Sequence, residues 1–222
     1  MTPAPHLKNI VDALMAVSPW AITARFETFD HCIEVAVAAV AALRHWNIKA
    51  EVIPVGLVLL AKEDDRGVYV GITPEDVYGR IAPENRPPFE EWVKTNCPDA
   101  PAESHHAVVK AKCGGSVAII DLTLGQLRMV FPELPFGFVS YGDYLPEVES
   151  TSWHGAYLPP SRPEIGRSLA KKCQVKGLGE DLRDLMRLYL HAGNLDRFLA
   201  ALQGQQPEMV RTCLVRMEMS RR

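Results

Sequence analysis

Between Asp30 and Trp46 the chain reads DHCIEVAVAAVAALRHW, with no glycine or proline and with alanine or larger apolar residues at most positions. Alanine has the highest intrinsic helix propensity, so this run predicts a helix of about four turns. A helix that is apolar nearly all round has no face suited to water and must be buried. After Asn47 comes KAEVIPVGLVLLA, rich in Val, Ile and Leu, which predicts a central β-strand. A buried helix running directly into a buried strand points to a layered α+β fold.

The flanking sequence extends this plan. Ile10, Val11, Leu14, Met15 and Val17 recur at helical spacing within residues 6–17, predicting an amphipathic helix that ends before Ser18 and Pro19. HHAVVKAK and SVAIIDL read as two strands joined through Cys113-Gly114-Gly115, a hairpin signal. A further strand is expected near Phe138–Tyr141. Residues 146–166 carry Pro and Ser and read as a long loop, and 179–203 and 207–219 as two helices, the first broken near Gly193-Asn194. Residues 62–103, with KEDDRG, several prolines and a short helix around PFEEWVKTN, read as a surface excursion that covers a site. The expected architecture is a central antiparallel sheet, the Cys32 helix packed against it, and helices at both ends of the chain.

Size and charge remove several classes of function. A chain of 222 residues buries a sizeable core without staples, and a net charge of -3 gives no reason to expect a nucleic-acid partner. The five cysteines, Cys32, Cys97, Cys113, Cys173 and Cys213, are odd in number and widely scattered, so reduced thiols are expected. The opening residues lack the pattern of a signal peptide, and no run reaches the roughly 18 apolar residues of a membrane span. A cytoplasmic protein with no membrane partner is the resulting expectation.

Cys32 is where chemistry is expected. Asp30 is the predicted N-cap and Glu34 lies in the first turn or two, which sets Cys32 at a helix N-terminus, where backbone N–H groups favour a thiolate. The same groups can donate to an oxyanion. His106 and Asp121 lie on the two arms of the predicted hairpin, the first suited to take a thiol proton and the second to orient the imidazole. His105 competes as the base, because a register shift of one residue turns its side chain to the other face. Asp121 has a second reading, as a strand-end turn residue bonded to Thr123 or the backbone. Cys97, His105, His106 and Cys113 fall close together, but their spacing lacks the paired short gaps of structural zinc sites, so no metal is expected. Gly114-Gly115 is a turn and no phosphate loop, and Trp153-His154 lines a pocket or simply packs at the surface.

The order of these parts carries a family resemblance: a cysteine opening an alanine-rich helix, a strand, His106 heading HAVVKAK, then Asp121 closing AIID before Leu122-Thr123. It resembles the transglutaminase-like branch of the papain-like cysteine enzymes, and is similar to the core of the arylamine N-acetyltransferases, over about residues 28–125. The resemblance implies one cysteine-triad domain spanning 1–222, with 179–219 a helical cap or subdomain. It implies Cys32 as nucleophile, His106 as base and Asp121 as orienting carboxylate. The activity implied is hydrolysis or acyl transfer on an amide, ester or thioester of a small molecule, peptide or protein, with no organic cofactor. The alternative is a catalytically inactive version of that fold, serving as a protein-interaction module through its C-terminal helices.

Overall fold

The chain is described by a computed structural model at residues 5–26, 31–63, 67–73, 76, 105–129, 132–175 and 177–219. The helix α1 (Pro5–Arg25) precedes α2 (Cys32–His45), which leads through a tight turn into β1 (Lys49–Ala61). Strands β2 (Gly67–Val70), β3 (His106–Cys113) and β4 (Ser116–Asp121) follow, then a 3-10 segment at Leu124–Met129. After β5 (Phe138–Tyr141), β6 (Glu147–Glu149) and β7 (Trp153–Leu158) come α3 (Pro163–Lys172), α4 (Leu178–Ala192), α5 (Leu195–Gln205) and α6 (Pro207–Met219). The fold is thus a mixture of helices with an antiparallel sheet of order β5-β4-β3-β1-β7-β6, with β2 also paired to β1.

β1 holds the sheet together because it is long enough to serve two sets of partners. Its first half pairs with β3, from Lys49 opposite Lys112 to Val55 opposite His106. Its second half pairs with β7 on one edge, Leu57 opposite Tyr157, and with β2 on the other, Leu57 opposite Val70. β2 and β3 therefore lie in tandem along the same edge, and the chain leaves that edge at Gly71 and rejoins it at His106. Gly71 has φ +69°, and a Cβ there would lie 2.4 Å from the Val55 carbonyl oxygen and 3.1 Å from the His106 nitrogen. Only glycine fits that approach. The β3–β4 turn closes through Gly114 and Gly115, both at positive φ, with Cys113 opposite Ser116, as a two-residue hairpin loop requires.

The two faces of the sheet bury different partners. Ala107, Val109 and Ala111 of β3, with Ala118 and Ile120 of β4, pack in one cluster with α1, α2, α4 and α5. Strand alternation turns Val108 and Ile119 to the opposite face, where they cluster with Val55, Leu57 and Leu59 of β1, Leu124 and Leu127 of the 3-10 segment, and Trp153 and Tyr157 of β7. α2 is buried along most of its length, as its composition requires.

Two expectations are corrected. α1 does not stop before Ser18 but continues through Pro19 to Arg25. Proline offers no N–H to the Met15 carbonyl, and the Ser18 hydroxyl donates to that carbonyl instead, at 3.3 Å. Residues 146–166 are not a long loop; they contain β6, β7 and the start of α3, because the second half of β1 offers an edge for β7. Trp153 and His154 accordingly lie on a strand, with Trp153 buried and His154 exposed. The expected break near Gly193-Asn194 is present: Gly193 ends α4 in the left-handed region and the Asn194 side chain accepts from the Arg197 N–H to start α5. The expected excursion helix around PFEEWVKTN lies outside the described residues. No helix among the described residues is long and apolar enough to cross a membrane.

Candidate active site

Cys32 is the first residue of α2. Asp30, expected as the cap, lies outside the described residues, and His31 occupies the cap position without a side-chain bond to the helix amides. The His31 ring instead stacks on Phe26 at 4.0 Å, with Nδ1 3.6 Å from Glu34. Cys32 is 5 % exposed, and its Sγ–H donates to the His105 carbonyl at 3.2 Å. His105 thus contributes its backbone at this point, and His106 contributes its ring.

By alternation, His106 shares the face of Val108, and Asp121 that of Ile119. His106 Nε2 donates to Asp121 Oδ2 at 2.7 Å, and both residues are 1 % exposed. With Nε2 committed to the carboxylate, Nδ1 is the ring nitrogen left for Cys32, which is near enough to act on the imidazole. The three residues expected from sequence are therefore brought together in the order Cys32, His106, Asp121. Asp121 also makes the strand-end contacts expected of it, since its Oδ1 accepts from the Thr123 N–H at 2.8 Å and the Thr123 hydroxyl at 3.2 Å.

Tyr157 is a neighbour that sequence reasoning missed. Its hydroxyl donates to Asp121 Oδ2 at 2.7 Å, the oxygen that also accepts from His106. β4 and β7 are separated in the sheet by β3 and β1, a span of about 14 Å across three flat inter-strand steps. A direct hydrogen bond over that span requires the sheet to curl toward this face. The alternation of Trp153, Gly155 and Tyr157 hints at a strand with all three on one face, but it does not show which strand Tyr157 faces.

Burial opposes charge on His106, but the Asp121 carboxylate, through its charge and its hydrogen bond, and then Cys32 outweigh it, and the imidazole is pushed up from 6.5 to about 10. Asp121 is likewise penalised by burial, but His106, the Thr123 N–H and the Tyr157 hydroxyl hold it below the ordinary carboxylate value. Burial and then the Asp121 charge raise Tyr157 well above an ordinary phenol, so it stays a donor. At neutral pH the centre is an imidazolium locked to a carboxylate, with Cys32 Sγ on its other side. A protonated ring held against a fixed anion can stabilise a thiolate beside it and hand its proton to a leaving group, and the neutral ring so formed can take a proton from an attacking water.

Among the described residues, no group of three or more His, Cys, Asp or Glu side chains is arranged to hold a metal ion. Cys113 ends β3 about 23 Å along the strand from His106, so these two cannot share an ion, and Cys97 lies outside the described residues. A scan against protein-family models, a search of curated proteins and a search of solved structures each find no match to the chain.

Proposed function

We propose that the chain is a cysteine-dependent hydrolase or acyltransferase of the transglutaminase-like, papain-like kind. The observation that carries this reading is the convergence of Cys32, at a helix N-terminus, with buried His106, which is hydrogen-bonded to Asp121 at 2.7 Å. Cys32 Sγ attacks the carbonyl carbon of an amide, ester or thioester, forming a C–S bond. The bond to the leaving group breaks, and His106 gives that group its proton. First-turn amides of α2 are suited to receive the developing oxyanion. Water or an amine then attacks the acyl-Cys32, His106 takes its proton, and the C–S bond breaks to restore the thiolate.

The test is to treat the protein with p-nitrophenyl acetate, quench, and map the acetyl group by mass spectrometry. The expected result is an adduct on Cys32 that is absent in Cys32→Ala and strongly reduced in His106→Ala. Acetylation spread over lysines with Cys32 unmodified sinks the reading.

A second reading, an inactive fold that serves as an interaction module, is favoured by one feature. The thiol is nearly buried and donates to the His105 carbonyl, which suits an inert core cysteine. Leu190, Leu195, Leu214 and Val215, exposed on the C-terminal helices, are the natural contact residues in that case.

A further inference from the structure

Asp121 Oδ2 accepts two hydrogen bonds at the same 2.7 Å, one from His106 Nε2 and one from the Tyr157 hydroxyl, while Oδ1 is occupied by Thr123. The carboxylate is fully subscribed, and each donor weakens the pull it exerts on the other. Tyr157 is also held by its neighbours: its ring stacks near Phe138, at 6.0 Å and 21°, and near His106, at 6.3 Å and 26°. β7 carries it from two strands away, so its hydroxyl acts as a strut across the curled face.

We propose that Tyr157 is a positioning residue that shares Asp121 Oδ2 with His106 and thereby limits how firmly the imidazole keeps its proton. The inference rests on the cysteine-nucleophile reading for its kinetic consequence. In the free enzyme Cys32 Sγ beside His106 favours the imidazolium. In the acyl-enzyme the sulfur is bonded to carbon and carries no charge, so His106 must be neutral to take a proton from the attacking water. That water forms a C–O bond, its proton passes to the imidazole, and the C–S bond breaks. A carboxylate engaged by His106 alone holds the imidazolium too tightly for this second half. Among the described residues, the titratable groups acting on His106 are Asp121 from β4 and Cys32 from α2, with Tyr157 from β7 acting through Asp121.

The experiment is an NMR titration of the His106 ring in the parent protein and in Tyr157→Phe, paired with burst and steady-state release of p-nitrophenolate from p-nitrophenyl acetate. Tyr157→Phe keeps the ring and removes only the hydroxyl. The expected result is a His106 titration moved upward by about half a pH unit to one unit, because the net effect of a typical hydrogen bond is of that order. The burst is retained, and steady-state release at neutral pH falls about three- to tenfold, recovering as pH rises. Should Tyr157→Phe fail to fold, 3-fluorotyrosine at position 157, a stronger donor, is expected to move the titration downward. An unmoved or oppositely moved titration overturns the role given to Tyr157. Absence of any Cys32-dependent burst in the parent protein instead contradicts the cysteine reading itself, so the two failures are told apart.

Discussion

The two faces of the sheet are built from the same strands and bury comparable side chains, yet they obey different rules. The face under α1, α2, α4 and α5 is a core of Val, Leu, Ile, Ala, Met186 and Phe198, with Cys32 among them, where what matters is filled volume. The curled face holds His106, Asp121, Thr123 and Tyr157 within an equally buried setting, where what matters is that these four side chains have their partners. One residue step along β3, from Ala107 to His106, crosses from one regime to the other. A shape-preserving change is therefore tolerated on the first face and damaging on the second.

The sharpest way to break this contrast is at Asp121. Asp121→Ala strands a buried imidazolium and is expected to cost about 3–5 kcal/mol in urea unfolding. It is also expected to abolish any preferential alkylation of Cys32. Asp121→Asn, nearly the same shape, is expected to lose the same reactivity. Full Cys32 reactivity in the Asp121→Asn variant would erase the distinction between the faces.

On the apolar face, Leu43→Ala, at a fully buried position of α2, is expected to cost about 2–5 kcal/mol, and Leu43→Met under about 1.5 kcal/mol. Neither should change the Cys32 alkylation rate at a temperature where the variant is folded. A rate loss in Leu43→Met comparable to that in Asp121→Asn runs against the account.

Only the polar face should give stability a pH signature. His106 is raised from 6.5 to about 10, so its contribution is fully present below about pH 6.5 and is lost as pH rises through about 10. Asp121 is depressed, so its contribution is present above 3.8 and fades as pH falls through its lower folded value. Urea midpoints of the parent and His106→Ala should therefore differ most at mildly acidic pH and converge toward about pH 10. A gap that widens with rising pH has the wrong sign. The smallest effect is expected at Thr123→Val, which removes one hydroxyl donor to Asp121 but keeps the backbone N–H, costing about 0.5–1.5 kcal/mol with a few-fold loss of reactivity.

The parts legible in the sequence are those fixed by short-range pattern. The alanine run sets α2, the Gly114-Gly115 turn sets the β3–β4 register, and that register puts His106 and Asp121 on one face. Tyr157 is not legible because its place depends on β1 recruiting β7 across a distant pairing, and the Pro- and Ser-bearing stretch around it has the composition of a loop. The extension of α1 past Pro19 is hidden for another reason: a single Ser18 hydroxyl offsets the donor that proline lacks. The tandem placement of β2 and β3, which brings Gly71 against His106, depends on both ends of a long insertion and has no local signature.

The central claim is that Cys32 and His106 act as one unit. Its most direct test is alkylation by iodoacetamide at neutral pH, followed at all five cysteines by mass spectrometry in the parent protein and in His106→Ala. The account predicts that Cys32 reacts fastest in the parent despite its low exposure, and that His106→Ala removes this advantage while leaving the other cysteines unchanged. Cys32 reacting no faster than the rest, or equally fast without His106, would contradict it.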